Sequence, residues 1–279
     1  MKKYILNKPI LYSCLIFLIC LIIRIFEYFV IKTDETLISE NFIHKVLGII
    51  ILIILLNILN YKFKDIGFKK KNFLKYLSYG LLLGLLCFGV AYLIEFFILY
   101  SQAPHFEIYV NGFSLTGTEV KHTELIFFIL CIVMNILNVV MEEGMFRGLF
   151  LKIINNKRSF LQANLIVALL FGVWHFVMPL RSFIYGEMNF MSLFIMMIGY
   201  IILSGIMSFK WGLLYQMTDS LFIGIGDHLF NNIIATNLIH IVTISGADEL
   251  QIVRIMIAQI LSFVIIYMIY RKNKEKLYS

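Results

Sequence analysis

The chain has 279 residues, of which 61% are hydrophobic and 15% charged, with a mean hydropathy of +0.89 and a formal net charge of +7. That is too apolar for a soluble domain of this length. In so apolar a chain the positive charge reads as a topology signal, not as a nucleic-acid footprint.

Apolar runs of spanning length, roughly 20 residues each, lie at about 10–31, 44–61, 74–100, 123–151, 160–180, 190–209, 211–240 and 250–270. The expectation is an all-α, polytopic integral membrane bundle of about eight transmembrane helices. It forms one membrane domain over 1–279, multi-pass in the cell membrane. Placing both termini in the cytoplasm puts 17 of the 24 basic residues inside and four outside (Lys32, Lys45, Lys121, Arg181), with Arg24, Arg147 and Arg254 within spans. This asymmetry fixes the expected orientation.

In chain order, the first span is too long and too plainly followed by others to be a cleaved signal. Arg24 and Glu27, three apart within it, are placed to pair on one face. The run "KFKDIGFKKKNF" (62–73) reads as a cytoplasmic loop. Gly80 and Gly84 form a GxxxG pair suited to close helix packing. Glu95 sits near the external end of its span, within reach of the head groups. The loops 32–41 and 101–123 are the longest external ones, and the second carries Pro104. Cys14, Cys20, Cys87 and Cys131 lie in apolar spans without CxxC spacing and read as packing residues.

The fourth span ends in "MEEGMFRG" (141–148). An ionisable side chain at mid-membrane costs about 2.5–3.5 kcal/mol on insertion scales, so Glu142, Glu143 and Arg147 need partners. Glu143 and Arg147 are i, i+4 in the favourable acid-before-base order. At 100° per residue Glu142 lies about 140° from Arg147, so it faces another group. The next span offers "FGVWH" (171–175), with Phe171 and His175 at i, i+4. The seventh offers "HLFNN" (228–232), with His228 and Asn232 at the same spacing. At about 1.5 Å per residue, Glu142, His175 and His228 fall in one layer of the membrane. A carboxylate beside an imidazole takes a proton from water, and a second imidazole with a carboxamide donates to a developing oxyanion. The set points to water attack on an acyl centre, of which a peptide bond is the commonest.

These residues resemble the motifs EExxxR, FxxxH and HxxxN of the CPBP (Abi) family, the CAAX prenyl proteases and bacteriocin-processing enzymes, which are intramembrane glutamic endopeptidases. The likeness covers about 120–240. It implies that Glu142 is the catalytic base, that His175 helps to hold the water, and that His228 and Asn232 form the oxyanion hole. Glu143, Arg147 and Phe171 match supporting positions. It implies no metal or other cofactor, a peptide or membrane-protein substrate, and a role of the bacterial peptide-maturation or bacteriocin self-immunity type.

Other readings stay open at this point. "GIGDH" (224–228) contains the GxGD of aspartyl intramembrane proteases, but the only other intramembrane candidate, Asp219, sits eight residues away on the same expected helix. Glu142, His175 and His228 also make a two-His, one-carboxylate zinc set. A non-catalytic immunity or scaffold protein would bind a peptide in the same polar cleft. A transporter finds no support in paired broken helices.

Overall fold

The computed structural model describes residues 2–36, 38, 40–102, 105–113, 122–243 and 246–278, with residues 102 and 274–278 by backbone alone. Pro104, Lys121 and the loop segment 114–120 lie outside the described residues, as do the side chains of Lys274 and Lys276. Among the described residues six helices are long and apolar enough to cross a membrane: Pro9–Glu35, Phe73–Ser101, Leu125–Asn155, Phe160–Ile184, Phe190–Thr218 and Gln251–Asn273. Ile43–Leu59 is equally apolar but only 17 residues long. Their outward faces carry Ile22, Leu86, Leu93, Phe97, Ile195 and Met268, each more than half exposed. Such surfaces are stable only against lipid. The protein is a multi-pass membrane protein with an almost wholly helical fold.

Two sequence expectations change. The spans drawn at 190–209 and 211–240 are not separated at Lys210. Phe190–Thr218 is one helix of 29 residues, and Lys210 and Trp211 are buried inside it. A lysine in an apolar run reads as a loop, but here its ammonium lies 5.6 Å from the Trp211 ring, which offsets part of its cost. The helix ends instead at Asp219, in the left-handed conformation (φ 51°). The following segment is not one long span: Phe222–Leu229 is α-helical, Phe230–Leu238 is a π-helix, and Ile239–Thr243 is a strand. That strand pairs antiparallel with Phe106–Val110 in the register Phe106 to Thr243, the one sheet among the described residues of a fold expected to be all helix.

The chain divides into two compact units, one of residues 1–71 and 140–221, the other of 72–139 and 222–279. In the first, Pro9 opens its helix at a position that needs no amide hydrogen. Ser159 caps Phe160–Trp174 through a reciprocal box with Gln162. This helix meets Phe190–Thr218 along small residues, so a Cβ on Gly172 would strike the Ile201 backbone and one on Gly212 the Asn164 amide. Asn164 itself donates to the Phe209 carbonyl at 2.9 Å. At one end of this unit Lys69 pairs with Asp219 and the Leu221 amide donates to the Gly67 carbonyl. Gly67 has φ 100°, a conformation that other residues rarely adopt.

In the second unit, Phe73–Gln102 lies against Phe222–Leu229 so closely that a Cβ on Gly80 would strike the backbone of Ile223 and Asp227. A Cβ on Gly84 would meet Phe230. The expected close packing of the GxxxG pair is present. The core is Cys87, Phe88, Ala91, Ala235 and Ala258. Glu95 does not reach outward as expected. It is buried and accepts from Arg254 Nη1 at 2.7 Å, while Arg254 also donates to Asp248, which contacts His240. A buried arginine supplied by the last helix is a stronger partner than distant head groups.

Candidate active site

The helix Leu125–Glu142 passes without a break into the π-helix Glu143–Phe150, in which every side chain is buried. π-turns are rare and occur frequently at functional sites. Glu142 is 2% exposed, and its Oε1 accepts a hydrogen bond from the Trp174 indole Nε1 at 2.8 Å. Trp174 belongs to the "FGVWH" stretch and precedes His175 directly. The group that Glu142 was expected to face in the next span thus includes an indole N–H.

The Glu143–Arg147 pair expected from i, i+4 spacing is formed. Arg147 Nε donates to Glu143 Oε2 at 2.9 Å, and Nη2 pairs with the other oxygen. The guanidinium lies between the rings of Phe171 (4.2 Å) and Trp211 (4.8 Å), with Ser208 Oγ at 3.4 Å from Nη1. Bidentate pairing and two aromatic faces satisfy a charge that would otherwise be costly here. Glu143 is thereby committed to Arg147, while Glu142 accepts from a neutral donor.

His175 caps the C-terminal end of Phe160–Trp174. Its Nδ1 lies 2.9 Å from the Phe171 carbonyl, and its ring packs 4.7 Å from the Phe171 ring. A carbonyl only accepts, so Nδ1 carries the proton and Nε2 the lone pair in the neutral ring. That tautomer suits a histidine that accepts from water.

His228 and Asn232 belong to the second unit. His228 closes Phe222–Leu229 and is 2% exposed, and Asn232 stands in the π-helix Phe230–Leu238. Gln259 Nε2 donates to Asn231 Oδ1 at 3.0 Å, and Asn231 Nδ2 donates to Asn232 Oδ1 at 2.9 Å. Holding the Asn232 carbonyl oxygen in this way turns its amide N–H groups into the available donors. Sequence reasoning missed Asn231, Gln259 and Trp174 as contributors. Only Trp174 and Asn231 had a signal, each a polar-edged side chain beside a motif residue in an apolar run.

The expected Arg24–Glu27 pair is replaced by other contacts. Glu27 lies in a π-turn, Glu27–Ile31, and accepts from the amides of Ile43 (2.8 Å) and His44 (2.6 Å), from the His44 ring, and from Thr33. With both carboxylate oxygens engaged, Glu27 has nothing left for Arg24, which stacks over Trp174 (4.5 Å) and Tyr28 (5.3 Å) instead. The aspartyl reading also needs correction, because Asp219 does not share a helix with Asp227. It ends the preceding helix with its side chain 71% exposed. Among the described residues no three His, Cys, Asp or Glu side chains gather as a metal site.

The polytopic helical fold thus carries three polar sets on its apolar helices, Glu–Glu–Arg, Phe–His and His–Asn. Residues 124–234, a segment that takes in all three sets, match the family model described as type II CAAX prenyl endopeptidase Rce1-like. No match is found among curated proteins or among solved structures.

Proposed function

We propose that the protein is an intramembrane glutamate-dependent endopeptidase of the cell membrane, acting on a peptide or membrane-associated protein. The observation that carries this reading is the division of labour between adjacent glutamates: Glu143 is neutralised by Arg147, whereas Glu142 is aimed by the Trp174 N–H. In this mechanism Glu142, with His175, removes a proton from water as the oxygen attacks the scissile carbonyl carbon. His228 and Asn232 donate to the oxyanion of the tetrahedral intermediate. The intermediate collapses with cleavage of the C–N bond, and Glu142 returns the proton to the leaving amine. The biological role proposed is peptide maturation or bacteriocin self-immunity, and both termini lie on the cytoplasmic face.

The test compares peptide termini, by mass spectrometry, in membrane and secreted fractions of cells carrying wild type or Glu142→Gln at equal abundance. Termini present only with wild type are expected. Identical sets across growth conditions would sink the catalytic reading in favour of a binding or immunity protein. A chelator applied to the purified enzyme should leave turnover unchanged, and loss of turnover restored by zinc would indicate a metallopeptidase.

A further inference from the structure

Arg24 has no role in the mechanism above, yet it sits beside it. The residue is 6% exposed, and its Nε and Nη1 have no hydrogen-bond partner among the described residues. Glu142 lies across the Trp174 ring and accepts from that indole, and the carboxylates of the adjoining turns are engaged elsewhere. Glu27 is held by His44, Thr33 and two amides, and Asp34 and Glu35 are paired with Arg181. Arg181 is itself 5.8 Å from the ring of Tyr28 that Arg24 also faces, and it holds those two acids for itself. A buried guanidinium fork with unused donors matches the two oxygens of a carboxylate.

Its position relates it to the chemistry. The Trp174 indole lies 4.5 Å from the Arg24 guanidinium and donates to Glu142 at 2.8 Å. The two charged groups are therefore separated by a single aromatic ring. A peptide laid past that ring needs only a few residues of extended chain, at about 3.3 Å each, to reach from one to the other. Resting on the peptidase reading, we propose that Arg24 is the receptor for a carboxylate of the peptide ligand near the scissile bond. That carboxylate comes either from a chain terminus or from an acidic side chain.

The protein carries two tryptophans, Trp174 and Trp211, so occupancy of Arg24 is read by indole fluorescence in phosphatidylcholine nanodiscs without any need for turnover. The probes are N-acetylleucine, its amide N-acetylleucinamide, and N-acetylglutamic acid α-amide, whose only carboxylate is on the side chain. At least one acid should give a saturable change at a concentration about tenfold or more below that needed for the amide. The more effective acid names the source of the carboxylate. Arg24→Gln should abolish the preference, Arg24→Lys should keep it in weakened form, and Glu142→Gln should leave it intact. Equal responses to acid and amide in wild type would overturn the proposal, whether or not Arg24→Gln folds. So would a fluorescence change produced by phosphatidylglycerol nanodiscs alone that abolishes acid binding, since the site would then hold a lipid phosphate. Acid-selective binding without Glu142-dependent peptide termini would defeat the peptidase reading alone, and the converse would defeat the Arg24 proposal alone.

Discussion

Trp174 joins the aromatic packing to the chemistry. Its ring packs against Phe17, His44 and Phe146, and its one N–H is given to Glu142. Replacing it with Phe keeps most of the packing and removes the donor. A hydrogen bond to a charged group is worth about 1.5–3 kcal/mol, so Trp174→Phe should lower turnover by roughly 10- to 100-fold while accumulation stays near normal. Kinetics on a substrate found through the terminal-peptide comparison would check this, and unchanged turnover would remove Trp174 from the site. The Glu143–Arg147 pair behaves in the opposite way. Breaking a buried pair costs about 3–5 kcal/mol, so Glu143→Ala or Arg147→Ala should reduce folding yield and the melting temperature in detergent. Normal accumulation with selective loss of turnover would instead give these residues a direct part in catalysis. At this scale the sequence was most legible, because a charge in an apolar run demands a partner and i, i+4 spacing names it for Arg147. It failed for Arg24, whose nearest acid in sequence is occupied by groups brought from the next helix.

The motif-bearing elements depart from the regular helix on which such spacing arguments rest. Glu27–Ile31, Glu143–Phe150 and Phe230–Leu238 are all π-helical, and each begins at or next to a polar residue of interest. With i→i+5 bonding the turn is wider and residues are displaced from the faces that a 3.6-residue period assigns. Nothing in an apolar stretch distinguishes the two periods, which is why these segments, and the strand after Leu238, were not legible. Glycine spacing was. Gly80 and Gly89 lie on the same helix, but a Cβ on the first would meet backbone whereas one on the second would meet nothing within 4 Å. Gly80→Leu should therefore cost more than the about 1–3 kcal/mol typical of overpacking, because backbone cannot turn aside as a side chain can. Gly89→Leu should be close to neutral. Membrane abundance and monodispersity in size-exclusion chromatography would separate them, and equal behaviour would mean that Gly80 does not face the Phe222–Leu229 helix.

Across the molecule, orientation depends on how charge is sorted between the two ends of the unit formed by 1–71 and 140–221. One end carries the lysine-rich loop 62–71, the Lys69–Asp219 pair, and Lys152 above the Tyr61 ring at 5.3 Å. The helix Ile43–Leu59 separates it from the other end by about 25 Å at 1.5 Å per residue. At that far end each cation but Arg24 meets an acid: Arg181 with Asp34 and Glu35, Lys45 with Glu40 at 2.8 Å, and Lys32 with Glu35 at 3.2 Å. Burying Lys210 removes one charge from the expected cytoplasmic count but leaves the asymmetry, since the 62–71 loop alone holds five lysines. The positive-inside rule therefore predicts that the lysine-rich end faces the cytoplasm. Single cysteines at Lys70 and at Glu187, in a background lacking the native thiols, test this in intact cells with a membrane-impermeant maleimide. Glu187→Cys should label and Lys70→Cys should label only after permeabilisation. The reverse pattern would invert the orientation and place both termini outside, leaving the geometry around Glu142 untouched but changing the compartment from which a substrate is drawn.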